Sequence, residues 1–353
     1  MAGQIEYSDD SNSKLIDNEL ALNVAISELN QYKQTSNNLL AVDCEGVSLS
    51  RKGELTILSI ATREKAYLFD VLKIGKAIFS GGLQEILEDS TQEKLTFDCR
   101  QDSDALWHQF NVKLAGVLDL QLLEIMYRRE NPTSESAKPS PKTKFGRYKR
   151  RSQFTDKVEK IYGYRRCLEL YLEDDKLIEA KDSGGKLFKI NNKAWKVRPL
   201  SETLIQYCVA DTMGMFKLYD KMKDILSSVD GKTRLKIASE KYVEFYRQKE
   251  ERSYDGYETN AFLPLDIIPE KGSTSFPLSN TSCTRCKRQF PREEFSVTQL
   301  NKGEQKCRVC KEIKRLDDVQ RNREDNWARC DDEEYIDFPE CGNDYCFTWG
   351  CSC

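Results

Sequence analysis

The chain has 353 residues, enough for one sizeable domain and a smaller second one. Charged residues make up 32% of the sequence, yet the net charge is only −3, so any basic surface for nucleic acid must be local. No apolar run approaches the ~20 residues of a membrane span, and the first ten residues lack the basic and apolar regions of a secretory signal. We therefore expect a cytoplasmic or nuclear protein with no membrane partner.

The first half of the chain predicts an α/β fold. Residues 1–18 are polar and acidic and are predicted to be disordered, and 19–32 have the apolar density of a short helix. Apolar runs bounded by turn residues then predict five strands, at 39–47, 55–61, 65–71, 94–97 and 116–120. Helical spacing predicts three helices between and after them, at 78–87, 102–110 and 120–129. Successive strands followed by strand–helix alternation are typical of a mixed sheet flanked by helices.

The second half predicts helices and then a cysteine-rich end. We expect a basic loop insertion at 131–193, of which 174–193 would be a charged surface segment. A helix would begin after Ser201, whose side chain suits an N-cap, and would close a domain at 19–228. The remaining segments would be, in order, a helix at 229–253, a linker at 254–281, a compact module at 282–325 and an acidic, cysteine-rich tail at 326–353.

Two carboxylates stand at the end of the first predicted strand. Asp43 and Glu45 are two residues apart, so on a strand both side chains point to the same face. Carboxylates held that close repel each other unless a cation lies between them, and oxygen ligands suit Mg²⁺ or Mn²⁺. The pair alone would equally fit a strand-to-turn junction with two solvated acids, so its interpretation depends on motifs further along the chain.

Two further acidic motifs follow. Asp102 lies where a helix would begin beside the end of the fourth strand, although Asp98 and Asp104 are close enough in sequence to take its place. Tyr207 and Asp211 are four residues apart on the long helix of the second half, so they share one face. That helix is apolar enough to be half-buried. A buried carboxylate needs a positive partner, which a metal ion would supply.

The order of these motifs is that of a nuclease family. Three motifs resemble those of the DEDDy-type 3′–5′ exonucleases, namely Asp43-x-Glu45, Asp102 within Cys99–Ser103, and Tyr207-x-x-x-Asp211. The resemblance covers about residues 19–228. The chain is similar to the ribonuclease D and Werner branch of this family. It resembles most of all the exonuclease-domain proteins that include Egalitarian, judged also by Trp195 and Arg198-Pro-Leu.

The resemblance implies a ribonuclease H-like fold with two divalent ions, Mg²⁺ or Mn²⁺, among four acids. It implies that Asp43 bridges both ions, that Glu45 and Asp211 hold the first, and that Asp102 supports the second. Tyr207 would hydrogen-bond the attacking water and orient it, because a phenol with a pKa of about 10 is a poor base but a good positioner.

The predicted insertion at 131–193 is longer and more basic than a minimal exonuclease requires. Between Lys142 and Arg166 there are ten lysines or arginines and two acids. This segment would be either a solvated, flexible loop or a surface that follows the phosphates of single-stranded RNA or DNA, with Phe145 and Tyr148 for base stacking. The candidate phosphate contacts are Lys142, Lys144, Arg147, Lys149, Arg150 and Arg151.

Nine of the thirteen cysteines lie in the last 71 residues. Two Cys-x-x-Cys pairs separated by twenty residues have the pattern of a four-cysteine zinc site, with the ligands Cys283, Cys286, Cys307 and Cys310. Phe290 and Phe295 would supply the small apolar core. The arrangement is similar to LIM-like zinc modules of RNA-silencing adaptors, which implies one structural Zn²⁺ and a surface for a protein or RNA partner. The other cysteines of this end follow no spacing that assigns them.

Together these patterns predict a metal-dependent 3′–5′ exonuclease that hydrolyses phosphodiester bonds of single-stranded nucleic acid, RNA rather than DNA, by a two-metal-ion mechanism. The alternative is an RNA-binding adaptor with weak or no activity, which would use the exonuclease fold and the zinc module for complex assembly. The four acids and the tyrosine of the catalytic set are all present, which favours the enzyme.

Overall fold

A six-stranded mixed sheet forms the centre of the larger domain. The computed structural model describes residues 12–132, 158–250, 257 and 259–330. The strands are β1 (Ser13–Ile16), β2 (Leu40–Val47), β3 (Glu54–Ala61), β4 (Ala66–Asp70), β5 (Lys94–Thr96) and β6 (Val117–Asp119). They lie in the order β1-β4-β3-β2-β5-β6, with β3 antiparallel to both neighbours and the β1–β4, β2–β5 and β5–β6 pairs parallel. This mixed sheet confirms the predicted fold class.

Helices surround the sheet. Those of the larger domain are α1 (Glu19–Lys33), α2 (Val71–Ile74), α3 (Gln84–Glu88), α4 (Arg100–Phe110), α5 (Leu120–Glu130), α6 (Tyr164–Tyr171), α7 (Asp175–Ile190), α8 (Glu202–Met222) and α9 (Val229–Arg247). A π-helical turn over Phe79–Leu83 precedes α3. The Ser201 side chain accepts a hydrogen bond from the Leu204 N–H, which confirms the predicted start of α8. Over the described ranges, no helix combines the length and apolarity needed to cross a membrane.

The central strand β2 carries the first acidic motif. Its residues 40–42 are almost fully buried, and β2 is hydrogen-bonded to a strand on each side. The pairing between β2 and β3 shifts register between Glu45 and Gly46. A Cβ atom at Gly46 would lie 2.0 Å from the Glu54 carbonyl oxygen, so only glycine fits this bulge. The bulge interrupts regular pairing directly after Glu45 and places the acidic motif at the end of the strand.

Two segments that were predicted to lack regular structure are part of the domain. Residues 13–16, predicted within a disordered terminus of 1–18, form β1 and pair with β4. Four residues are too few to show a strand period in the sequence. Residues 174–193, predicted as a charged surface segment, contain helix α7, which begins after Asp174 as its N-cap. Leu177 and Phe188 of α7 pack against the main core.

The larger domain also extends beyond the predicted boundary at residue 228. Helix α9 packs against α4 and β6, where the Ser103 hydroxyl donates to the Val243 carbonyl at 2.7 Å and the Asp119 N–H donates to the Ser239 hydroxyl at 2.9 Å. Leu263 and residues 267–268 belong to the same core, so this part of the predicted linker 254–281 is packed rather than free. It has no helical or strand period, and the sequence therefore gave no sign of its burial.

The small C-terminal unit has a core of its own. Its elements are the paired strands β7 (Thr281–Ser282) and β8 (Gln289–Phe290) and the helices α10 (Val297–Lys302) and α11 (Arg308–Cys330). Phe290 and Phe295 are buried as predicted, and Tyr257 and Phe262 from the preceding segment join them. Helix α11 continues beyond the predicted end of the module at residue 325.

A buried lysine stabilises the start of β5, and its contribution can be tested. Lys94 on β5 is fully buried, and its ammonium donates to the carbonyls of Asp89, Gln92 and Ala115 at 2.7, 2.9 and 3.1 Å. We expect Lys94→Met to lower the free energy of unfolding by about 3 kcal/mol or more, because buried acceptors lose their donor. Urea denaturation measures this. Lys113→Met, at an exposed position, is the control and should change stability by less than about 0.5 kcal/mol.

Candidate active site

Carboxylates from β2 and α8 converge at the end of the central strand. Oxygen atoms of Asp43, Glu45 and Asp211 all lie within 4.8 Å of one another. Burial raises the pKa of Asp43, and burial together with the charge of Asp43 raises the pKa of Glu45. Burial also raises the pKa of Asp211, to about 7. The three acids therefore form a pocket in which negative charge is unfavourable until a cation enters.

The unpaired atoms of this pocket fit a divalent ion. Among the residues that the structure describes, Asp43 Oδ2 and Asp211 Oδ1 are buried side-chain oxygens without a hydrogen-bond partner. Buried polar atoms are normally paired, so two such oxygens in one cluster are suited to bind a metal ion. An all-oxygen set of carboxylates matches the preference of Mg²⁺ and Mn²⁺.

Asp102 lies beside this pocket, in the first turn of α4. It is 7% exposed, and burial followed by the charge of Asp43 raises its pKa. The two rival acids are engaged elsewhere. Asp98 accepts hydrogen bonds from Arg100, with an Nε–Oδ1 distance of 2.5 Å, and Asp104 forms an ion pair with Arg51 at 2.9 Å. The effect of the Asp43 charge on Asp102 supports Asp102 as the acid of the second motif.

Tyr207 lies one turn before Asp211 on α8, as the spacing predicted. The side chain is 6% exposed and packs edge-to-face against Phe188 and Trp195, with ring centroids 5.7 and 5.9 Å away. Burial and the charge of Glu45 raise its pKa, so the phenol keeps its proton. Its oxygen is therefore available to donate or accept a hydrogen bond but not to act as a base.

Lys181 on α7 is a site residue that the sequence analysis missed. Its ammonium donates to Asp211 Oδ2 and to the Tyr207 hydroxyl, both at 2.5 Å. Burial alone would lower the pKa of Lys181, but Asp211, Glu45 and Asp43 outweigh it and raise the pKa. A signal was present: Leu177, Lys181, residue 184 and Phe188 recur at helical spacing after the Asp174 cap. The Gly-Gly pair at 184–185 obscured the helix.

The predicted phosphate contacts cannot be placed against this pocket. Lys142, Lys144, Arg147, Lys149, Arg150 and Arg151 all lie outside the described residues. The same holds for the four cysteines beyond residue 340. The basic surface at 142–151 therefore stays a prediction.

A family model matches the first part of the larger domain. Residues 14–132 match the model described as a 3′–5′ exonuclease. This part of the chain is therefore similar to a 3′–5′ exonuclease domain. The matched range includes Asp43, Glu45 and Asp102 and ends before the third motif, which the fold brings back to the pocket from α8.

Two relatives of this chain carry the same name. The human protein named piRNA biogenesis protein EXD1 is 27% identical over 263 residues, which is 70% of this chain and 45% of the human protein. The mouse protein of the same name is 40% identical over 89 residues, which is 25% of this chain and 16% of that protein. The chain thus spans less than half the length of the curated relatives it matches.

Solved structures show the same architecture. RNase D of Trypanosoma brucei in its GMP complex has a TM-score of 0.55 at 21% identity, covering 82% of this chain and 79% of that one. The same enzyme in complex with RNA U12 has a TM-score of 0.54 at 20% identity, covering 82% and 87%. The larger domain of this chain therefore has an RNase D-like fold.

The four predicted zinc ligands also meet in space. The sulfur atoms of Cys283, Cys286, Cys307 and Cys310 lie within 4.8 Å of one another, and all four cysteines are free thiols. Hydrogen bonds from Cys286 and then from Cys307 and Cys310 lower the pKa of Cys283, which favours its thiolate form. Four sulfurs from two Cys-x-x-Cys turns are the donor set of a structural zinc site, so the cluster fits the predicted zinc module.

Proposed function

We propose that the chain is a metal-dependent 3′–5′ exonuclease that acts on single-stranded nucleic acid, with RNA favoured over DNA. The observation that carries this proposal is the convergence of Asp43, Glu45 and Asp211, with oxygens of all three acids within 4.8 Å, inside an exonuclease domain. The preference for RNA is supported by the name of the human relative and by the RNA complex of the RNase D neighbour.

In the proposed mechanism the four acids would hold two divalent ions. Asp43 would bridge both ions, Glu45 and Asp211 would hold the first, and Asp102 would support the second. When bound, such ions lower the pKa of a water and stabilise the charge that develops on the leaving 3′ oxygen. The buried phenol of Tyr207 keeps its proton and would orient the attacking water through a hydrogen bond.

The test compares substrates with the purified full-length chain. Single-stranded RNA, single-stranded DNA and a blunt RNA duplex of the same sequence, each labelled at the 5′ end, are incubated with Mg²⁺ or Mn²⁺. We expect the single-stranded RNA to shorten fastest and the duplex slowest. Equal rates on RNA and DNA would contradict the RNA preference, and no shortening of any substrate would contradict the exonuclease.

A second candidate function is that of an RNA-binding adaptor with weak or no activity. One observation favours it: the ammonium of Lys181 lies 2.5 Å from both Asp211 and Tyr207, so a cation of the chain itself contacts the catalytic set. The same assay distinguishes the two candidates when it is paired with a binding measurement. Tight RNA binding without shortening in Mg²⁺ and Mn²⁺ would support the adaptor.

We also propose that the four-cysteine cluster binds one Zn²⁺ that stabilises the C-terminal unit. The small core around Phe290 and Phe295 is too little to fold this unit alone, so metal bonds would contribute to its folding. We expect Cys307→Ser to reduce the zinc content from one to near zero per chain, as measured by mass spectrometry. Cys167→Ala changes a buried cysteine of α6 and should leave the zinc content at one. Full zinc content in Cys307→Ser would contradict the assignment.

A further inference from the structure

The acidic pocket contains a cation that belongs to the protein. Lys181 Nζ is 2.5 Å from Asp211 Oδ2 and lies 4.1 Å from the centroid of the Tyr207 ring. Its charge acts on Asp43 and Glu45 as well as on Asp211. An ammonium and a divalent ion are both attracted to such a cluster, and the cluster has room for few ligands because its oxygens lie within 4.8 Å.

The position of Lys181 is set by the way α7 packs on α8. Gly184, one turn after Lys181, lies against the ring of Tyr207, where an added Cβ would be 2.4 Å from the nearest ring carbon. Glycine inside a helix costs about 1 kcal/mol of stability relative to alanine. At residue 184 the lack of a side chain allows the two helices to approach closely. Phe188, a further turn along, packs on the same ring.

The start of α7 is fixed to the same helix. Asp174 caps α7 through the Leu177 N–H, and its carboxylate also accepts from Lys217 of α8 at 2.7 Å. The contacts of Asp174, Gly184 and Phe188 are spread along the whole length of α7. They hold Lys181, which lies between them, over the acids.

We propose that Lys181 competes with the divalent ion for the acidic pocket and so sets the ion concentration at which the pocket fills. This inference rests on the proposed function, because it assumes that Asp43, Glu45 and Asp211 hold an ion. The Tyr207 hydroxyl accepts a hydrogen bond from Lys181. Departure of Lys181 on ion entry would therefore also release the Tyr207 oxygen for the attacking water, so that filling the pocket and freeing the tyrosine are one event.

The test measures ion binding rather than catalysis. Isothermal titration with Mn²⁺, without RNA, is carried out on the zinc-loaded full-length chain and on Lys181→Met and Lys181→Gln. Lys181→Met removes the charge. Lys181→Gln also removes the charge but keeps hydrogen-bonding groups, and it serves as the second variant if Lys181→Met folds poorly. Lys186→Gln, at an exposed position of α7, is the control, and Asp43→Asn identifies the heat that comes from the pocket.

We expect both Lys181 variants to bind Mn²⁺ at least about tenfold more tightly than the wild type, while Lys186→Gln binds as the wild type does. Without Mn²⁺, the melting temperature of the Lys181 variants should fall by about 5 °C or more, because the buried acids lose their partner. Saturating Mn²⁺ should recover most of that loss.

The outcomes separate this inference from the proposed function. Equal Mn²⁺ affinity in the wild type and both Lys181 variants would overturn the competition and leave the nuclease proposal standing. Weaker binding in the variants would overturn it as well, since Lys181 would then assist the ion. If no protein bound Mn²⁺ at the pocket, both proposals would fall. Binding by the variants but not by the wild type would support the competition and favour the adaptor function.

Discussion

Asp43→Asn is expected to reduce the rate of RNA shortening by roughly 10³-fold or more. The substitution keeps the size of the side chain but removes the charge that would bridge both ions, and such ions supply several kcal/mol of transition-state stabilisation. Because Asp43 lies within 4.8 Å of two other acids, its loss also relieves repulsion. The melting temperature without added metal should therefore stay the same or rise. A gel assay with 5′-labelled RNA and a thermal melt of the same sample measure both effects.

The matched control for this variant is Asp224→Asn. Asp224 is an exposed aspartate in the short helix that follows α8, outside the acidic pocket. The Asp224→Asn variant should shorten RNA at the wild-type rate. Wild-type activity in Asp43→Asn would contradict the assignment of the pocket as the catalytic centre. Loss of activity together with a large drop in melting temperature would point to a structural role for Asp43 instead.

Tyr207→Phe is expected to slow RNA shortening by roughly 10²-fold, in line with the loss of a group that positions the attacking water. Phenylalanine preserves the ring that packs against Phe188 and Trp195, so the fold should be maintained. Mn²⁺ affinity should change little, because the phenol is not one of the acids proposed to hold the ions. Single-turnover rates and a Mn²⁺ titration separate the two properties.

Tyr219→Phe is the control for Tyr207→Phe. It removes a hydroxyl from a partly buried tyrosine of the same helix, away from the three acids, and should leave the rate unchanged. If Tyr207→Phe shortened RNA as fast as this control, Tyr207 would be an aromatic residue of the core and nothing more.

The parts of the site that the sequence predicted are those fixed by short-range geometry. Asp43 and Glu45 share a face because they are two residues apart on a strand, and Tyr207 and Asp211 because they are one helical turn apart. The order of the motifs then pointed to one family and so to one pocket. Asp102 was harder to select from its neighbours, and the structure separates them through the ion pairs that engage Asp98 and Asp104.

Other features depend on long-range packing, which the sequence does not encode locally. Lys181 is one charged residue among many in a polar segment, and it enters the pocket only because Gly184 lets α7 approach Tyr207. The strand β1 is recognisable only through its pairing with β4. Helix α9 was predicted as a helix, but its place inside the larger domain follows from contacts with α4 and β6 that span more than 100 residues of sequence.

The central claim is that this chain removes nucleotides from the 3′ end of RNA with the help of divalent ions. The most direct test uses one RNA sequence labelled in parallel at its 5′ end or at its 3′ end, with the full-length chain in Mn²⁺ or in EDTA. We expect immediate release of the 3′ label as a mononucleotide and a descending ladder from the 5′ label, both abolished by EDTA. Release of the 5′ label first, internal cleavage, or the same ladder in EDTA would contradict it.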